Sequence, residues 1–113
     1  MGRMEHLDER KDKDMIIKFI DNEKGLPPGK LADAELHFSD GPLDGLKLIG
    51  FAVWERANGG RNVTFPAKQY SVNGERRSFA LLRPQTDAAA QDRLRDTILA
   101  AYVEHQAALA ATS

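Results

Sequence analysis

The chain has 113 residues, no cysteine and a formal net charge of −1. That length fits one domain, and the lack of cysteine excludes disulfides, thiolate zinc sites and a cysteine nucleophile. Near-neutrality excludes a global pull toward nucleic acid or an anionic membrane, so any electrostatic argument must be local.

Residues 1–14 (MGRMEHLDERKDKD) are almost all charged or polar. They hold too few apolar groups to offset their ordering entropy, and a disordered or frayed tail without a signal peptide is expected there. No stretch approaches the ~20 apolar residues of a membrane span. With no cysteine to protect, a cytoplasmic location is expected.

Met15–Ile20 (MIIKFI) is β-branched and reads as a first strand. Gly25, Pro27, Pro28 and Gly29 then supply turn chemistry. Leu31–Phe38 alternates, with Ala32, Ala34, Leu36 and Phe38 on one face and Asp33, Glu35 and His37 on the other. This is the period of a strand with one wet face. After the turn Ser39–Gly45, Leu46–Trp54 is apolar on both parities. It predicts a central strand covered on both sides, by a helix and by a partner subunit; Trp54 is assigned to the core. Asn62–Phe65 is a short strand stopped by Pro66. Lys68–Val72 is a loop or short edge strand. Asn73-Gly74 is the strongest hairpin signal in the chain, and Glu75–Arg83 is the strand that follows, ended by Pro84.

The period then changes. Thr86 or Asp87 can cap a helix. Leu94, Ile98, Ala101, Tyr102, His105 and Leu109 recur as one stripe, fading near residues 108–113. Strands first and one long helix last predict an α+β fold, an antiparallel sheet of about five strands packed with one C-terminal helix. The expected organisation is a tail at 1–14, one domain over 15–109 and a frayed end at 110–113. A core from a chain that is 42% hydrophobic is modest, so pairing into a homodimer is expected to add stability.

Charge is unevenly placed. From Arg56 to Arg83 the chain carries Arg56, Arg61, Lys68, Arg76, Arg77 and Arg83 against the single acid Glu75. Arginine offers a planar fork suited to phosphate or carboxylate, and Phe65 and Tyr70 among these charges could stack on a base. The plainer reading is a solvated charged strand, with Phe65 alternating with Val63 as core.

Signals for catalysis are weak. His37 and Glu35 share a strand face and could touch a metal, but two ligands do not make a site. His105 on the helix stripe fits a hydrogen-bonded core or interface histidine. Ser39, Ser71 and Ser78 lack a nucleophile elbow, the glycines form no phosphate loop, and no carboxylate pair marks acid–base work. Neither enzymatic activity nor a metal or cofactor is expected.

The order of motifs between about Met15 and Tyr102 resembles the SpoVG family (stage V sporulation protein G, the septation-regulator family of bacteria). The resemblance is carried by the alternating strand Leu31–Phe38, by Gly60-Arg61-Asn62-Val63-Thr64-Phe65-Pro66-Ala67-Lys68, by Gly74-Glu75-Arg76-Arg77, by Pro84, and by the apolar run Leu94–Tyr102. It implies a compact sheet with a C-terminal helix, dimerisation, and DNA or RNA binding in a regulatory role. Carried over by position, it marks Lys68 and Arg77 as nucleic-acid contacts. Arg76 stands where the family usually has an aromatic residue and Gln69 where a basic one is common. With Arg61, the residues Lys68, Arg76 and Arg77 form the candidate binding set, expected on one face. The alternative is a non-enzymatic protein-interaction module using a sheet edge near Pro66 or the acidic face of Asp33 and Glu35.

Overall fold

The computed structural model describes residues 15–112; the expected tail at 1–14 and Ser113 lie outside the described residues. Alternation and turn chemistry produce the strands β1 (Met15–Asp21), β2 (Lys30–Phe38), β3 (Lys47–Glu55), β4 (Arg61–Thr64), β5 (Ala67–Val72) and β6 (Glu75–Ala80), with a short 3-10 turn at Gly41–Leu43. The helix α1 (Ala89–Thr112) closes an α+β domain. The expected single sheet is divided. Strands β1-β2-β3-β4 form an antiparallel sheet in chain order, and β5-β6 form a separate two-stranded ribbon.

The core lies between one face of the four-stranded sheet and α1. Ala32, Ala34 and Leu36 of β2, Phe51 and Val53 of β3, and Val63 of β4 cluster with Ile98 and Tyr102 of α1. The alanines on β2 are small enough to admit the larger side chains above them. Phe51, Ile98 and Val53 are the largest fully buried side chains, each contributing about 1.5–3 kcal/mol by leaving water.

The central strand β3 departs from the expectation drawn from its sequence. Ala34 pairs with Phe51 but Leu36 pairs with Leu48, so Ile49 and Gly50 together oppose Glu35. This β-bulge reverses the parity of the strand. Leu48 thereby joins Phe51 and Val53 on the core side, while Ile49 is left 58% exposed. β3 is central, as expected, and among the described residues α1 covers the face of Phe51 and Val53. Trp54, assigned to the core from sequence, is half-buried on the opposite face, where its Nε1 donates to Thr64 Oγ1 at 2.9 Å.

Asp87 caps α1, its Oδ1 accepting the Ala89 N–H at 2.9 Å. The helix runs to Thr112, within the range where it is expected to fade. Its 24 residues rise about 36 Å, whereas the longest strands, of nine residues, span about 30 Å. The helix therefore outruns the sheet, and Leu109, expected on the buried stripe, is exposed.

The ribbon lies outside the core cluster of an elongated molecule. The described chain extends 60 × 37 × 27 Å with a radius of gyration of 16.1 Å, against about 13 Å for a compact domain of this size. Every residue of β5 and β6 is exposed. Asn73 and Gly74 both have positive φ, 52° and 81°, the geometry of a tight two-residue hairpin turn.

Candidate nucleic-acid interface

The Asn73-Gly74 turn sets the register of the ribbon. Val72 pairs with Glu75, Tyr70 with Arg77, and Lys68 with Phe79. Directly opposed residues of an antiparallel pair share a face. One face therefore carries Lys68, Tyr70, Val72, Glu75, Arg77 and Phe79. The other carries Ala67, Gln69, Ser71, Arg76, Ser78 and Ala80, and Gln69 Nε2 lies 3.4 Å from Ser78 Oγ across it.

The four expected contacts do not share one face. Lys68 and Arg77 do, but Arg76, next to Arg77 in a strand of period two, points the other way. Arg61 belongs to β4 of the main sheet. Its guanidinium lies 5.1 Å from the centroid of Tyr102, and Nη2 donates to Gln106 Oε1 at 2.9 Å. It fastens β4 to α1. Phe65, considered as a stacking residue, packs edge-on against Phe51 at 5.2 Å and borders the core.

Two residues outside the candidate binding set join the face. Phe79 sits beside Tyr70 on it, and Arg83, beyond the end of β6, lays its guanidinium 4.5 Å from the Phe79 centroid. Counting outward from Asn73-Gly74 would have placed Phe79 there. The same count along the expected strand Glu75–Arg83 reaches Arg83, but the observed strand ends at Ala80 and Arg83 meets Phe79 from beyond it. Tyr70 and Phe79 are 41% and 45% exposed. Arg77 Nη2 meets Glu75 Oε1 at 2.8 Å. Both partners are exposed, so the pair is weak and open to competition from another anion. The face thus combines three cations, one acid and two available rings on a scaffold that contributes nothing to the core.

Two further polar groupings have structural explanations. On the outer face of the sheet, Glu35 Oε1 accepts from His37 Nε2 at 2.9 Å and from Lys47 Nζ at 3.3 Å. The His37 hydrogen bond, opposed by partial burial and reinforced by Lys47, holds the Glu35 carboxyl below its ordinary pKa. Among the described residues no group of three or more His, Cys, Asp or Glu could hold a metal ion. At the edge of the sheet, His105 Nε2 lies 3.1 Å from both carboxylate oxygens of Asp21, and its ring lies 5.1 Å from Phe19. This contact ties α1 to β1 beside a groove of about 1020 Å³ lined by Ile17, Phe19, Thr97, Ala101 and Glu104. Burial, then the charge of Asp21, raises the pKa of Tyr102 nearby.

No helix among the described residues is long and apolar enough to cross a membrane. Searches for a matching protein family, curated protein or solved structure found none.

Proposed function

We propose that this protein is a small, non-enzymatic, nucleic-acid-binding regulator that works as a homodimer in the bacterial cytoplasm and engages DNA or RNA through the basic and aromatic face of the β5-β6 ribbon. The observation that carries the reading is the fully exposed ribbon whose one face presents Lys68, Tyr70, Arg77 and Phe79. Lysine and arginine supply phosphate contacts, and exposed rings supply base contacts. The resemblance to the SpoVG septation regulators of sporulating bacteria points the same way for Lys68 and Arg77. Homodimerisation is supported by the outer face of the sheet, where Ile16, Ile20 and Ile49 stay about half exposed. It would set two ribbons in a symmetric array.

Fluorescence anisotropy with labelled oligonucleotides at two salt concentrations tests the reading. Binding should weaken as salt rises. The double variant Lys68→Ala/Arg77→Ala should lose about tenfold or more in affinity, whereas Arg76→Ala, on the other face, should change it little. Equal losses in the two variants would argue against a face-specific site.

A protein-interaction module is the second reading. Tyr70, Val72, Phe79 and Leu81 leave an apolar strip 41% to 60% exposed, and a ribbon whose outer edges pair with no other strand among the described residues can add one from a partner. Absence of binding to every oligonucleotide, together with one stoichiometric protein partner surviving nuclease treatment, would favour it.

A further inference from the structure

We propose that the ribbon face takes an unpaired nucleic-acid strand, with one base stacked on Tyr70 and another on Phe79. This inference rests on the nucleic-acid reading above and specifies the form of the ligand. The register places the four central side chains as a checkerboard. Lys68 and Tyr70 alternate along β5, Arg77 and Phe79 alternate along β6, Lys68 faces Phe79, and Tyr70 faces Arg77. The two rings therefore occupy one diagonal and the two cations the other. Diagonal neighbours on an antiparallel pair lie about 7–8 Å apart. Within a duplex, bases rise only about 3.4 Å per step and each base face is covered by its neighbour. Two rings set at roughly twice that rise cannot both stack on bases held in a duplex. An unpaired strand can open to the wider spacing and offer a bare face to each ring, with cations on both sides for its phosphates.

The surrounding charges suit this ligand. Arg83 lies 4.5 Å from the ring centroid of Phe79, which stays 45% exposed, and adds a third cation to the phosphate path. Glu75 is the one acid on the face and already engages Arg77 at 2.8 Å. This exposed pair can yield Arg77 to a phosphate at little cost. The opposite face is built differently. Gln69, Ser71, Arg76 and Ser78 offer hydrogen-bonding groups and no ring. Such a polar ribbon face could read base edges in a duplex major groove instead.

The full chain should be titrated by anisotropy into short labelled single-stranded DNA and RNA and into a duplex of the same length. Tyr70→Leu and Phe79→Leu keep apolar bulk at exposed positions but remove the π face, and far-UV circular dichroism checks that both fold. The expected result is tighter binding to the unpaired strands, weakened roughly five- to hundredfold by each leucine variant and unchanged by Gln69→Ala or Arg76→Ala. A single-stranded probe containing 2-aminopurine should be quenched on binding the parent chain and much less on binding Phe79→Leu. Duplex binding as tight as single-strand binding, insensitive to both leucine variants and lost in Arg76→Ala, would overturn this inference and leave the nucleic-acid reading standing. Failure to bind any probe would overturn both.

Discussion

Gly50 has a backbone φ of 111°, and a Cβ placed there would lie 3.0 Å from Cβ of the buried Pro66. Both the left-handed backbone and the close approach exclude a larger residue. Gly50→Ala should cost about 1–3 kcal/mol, read as a lower thermal or urea midpoint, because Pro66 must move or β3 must straighten. Glu35 predicts a pH effect. Its carboxyl is held below the ordinary carboxylate pKa, so its stabilisation is present above that range and lost as pH falls through the folded value. Glu35→Gln should flatten the acid limb of the stability curve in urea titrations across the acidic range, and an unchanged acid limb would refute the assignment. These residues also mark what could be read in the sequence and what could not. Period-two alternation placed Ala32, Ala34 and Leu36 correctly because the extra residue of the bulge between Ala34 and Leu36 lies on β3, leaving the period of β2 intact. It left Leu46–Trp54 apolar on both parities, because nothing in the string LKLIGFAVW says that Ile49 and Gly50 together oppose one residue and so bring Leu48 to the side of Phe51 and Val53. It grouped Arg76 with Arg77 because charge counts ignore which side of a strand each residue takes. Phe65 packs edge-on against Phe51, whereas Phe79 stays 45% exposed beneath the Arg83 guanidinium, a difference that residue type alone does not carry.

Among the elements, the ribbon is the least supported. A two-stranded hairpin alone is marginally stable in water, and none of its residues contributes to the core cluster. Its persistence rests on the positive-φ turn at Asn73-Gly74, on cross-strand pairs such as Tyr70 with Arg77, and on the Arg83 contact with Phe79. Native-state hydrogen exchange should therefore find β5 and β6 amides exchanging well before those of β2 and β3, and an oligonucleotide that binds the ribbon should slow them. Replacing Gly74 with valine, which resists positive φ, should abolish nucleic-acid binding while the cooperative unfolding of the sheet and helix remains. The helix is anchored differently. Its stripe was legible from Leu94 to His105 because three- and four-residue spacing repeats cleanly there. Beyond His105 the same spacing continues to Leu109 but the sheet beneath has ended, and sequence carries no record of how far the opposing surface extends.

For the molecule as a whole, the uneven charge of the sequence becomes a projecting arm on a body of opposite sign. The salt dependence of binding can count the arms. One ribbon offering Lys68, Arg77 and Arg83 to an unpaired strand should give a log–log slope of about −2, and a dimer engaging one strand with both ribbons about −4. Light scattering on the same sample fixes the number of chains, so a dimer with the shallower slope would mean that only one arm engages at a time. The junction between arm and body has a further consequence. The chain leaves the body at Pro66 and returns at Leu81, and the Leu81 N–H donates to the Pro66 carbonyl at 3.0 Å. The entry and exit of the ribbon are thus already neighbours without it. Residues 67–80 behave as a cassette: excised and replaced by a short turn, they should leave a foldable sheet-and-helix body, and transplanted between two adjacent strand ends of another scaffold they should carry their binding chemistry with them. Substitution within this cassette can therefore change the ligand without disturbing the framework that holds it.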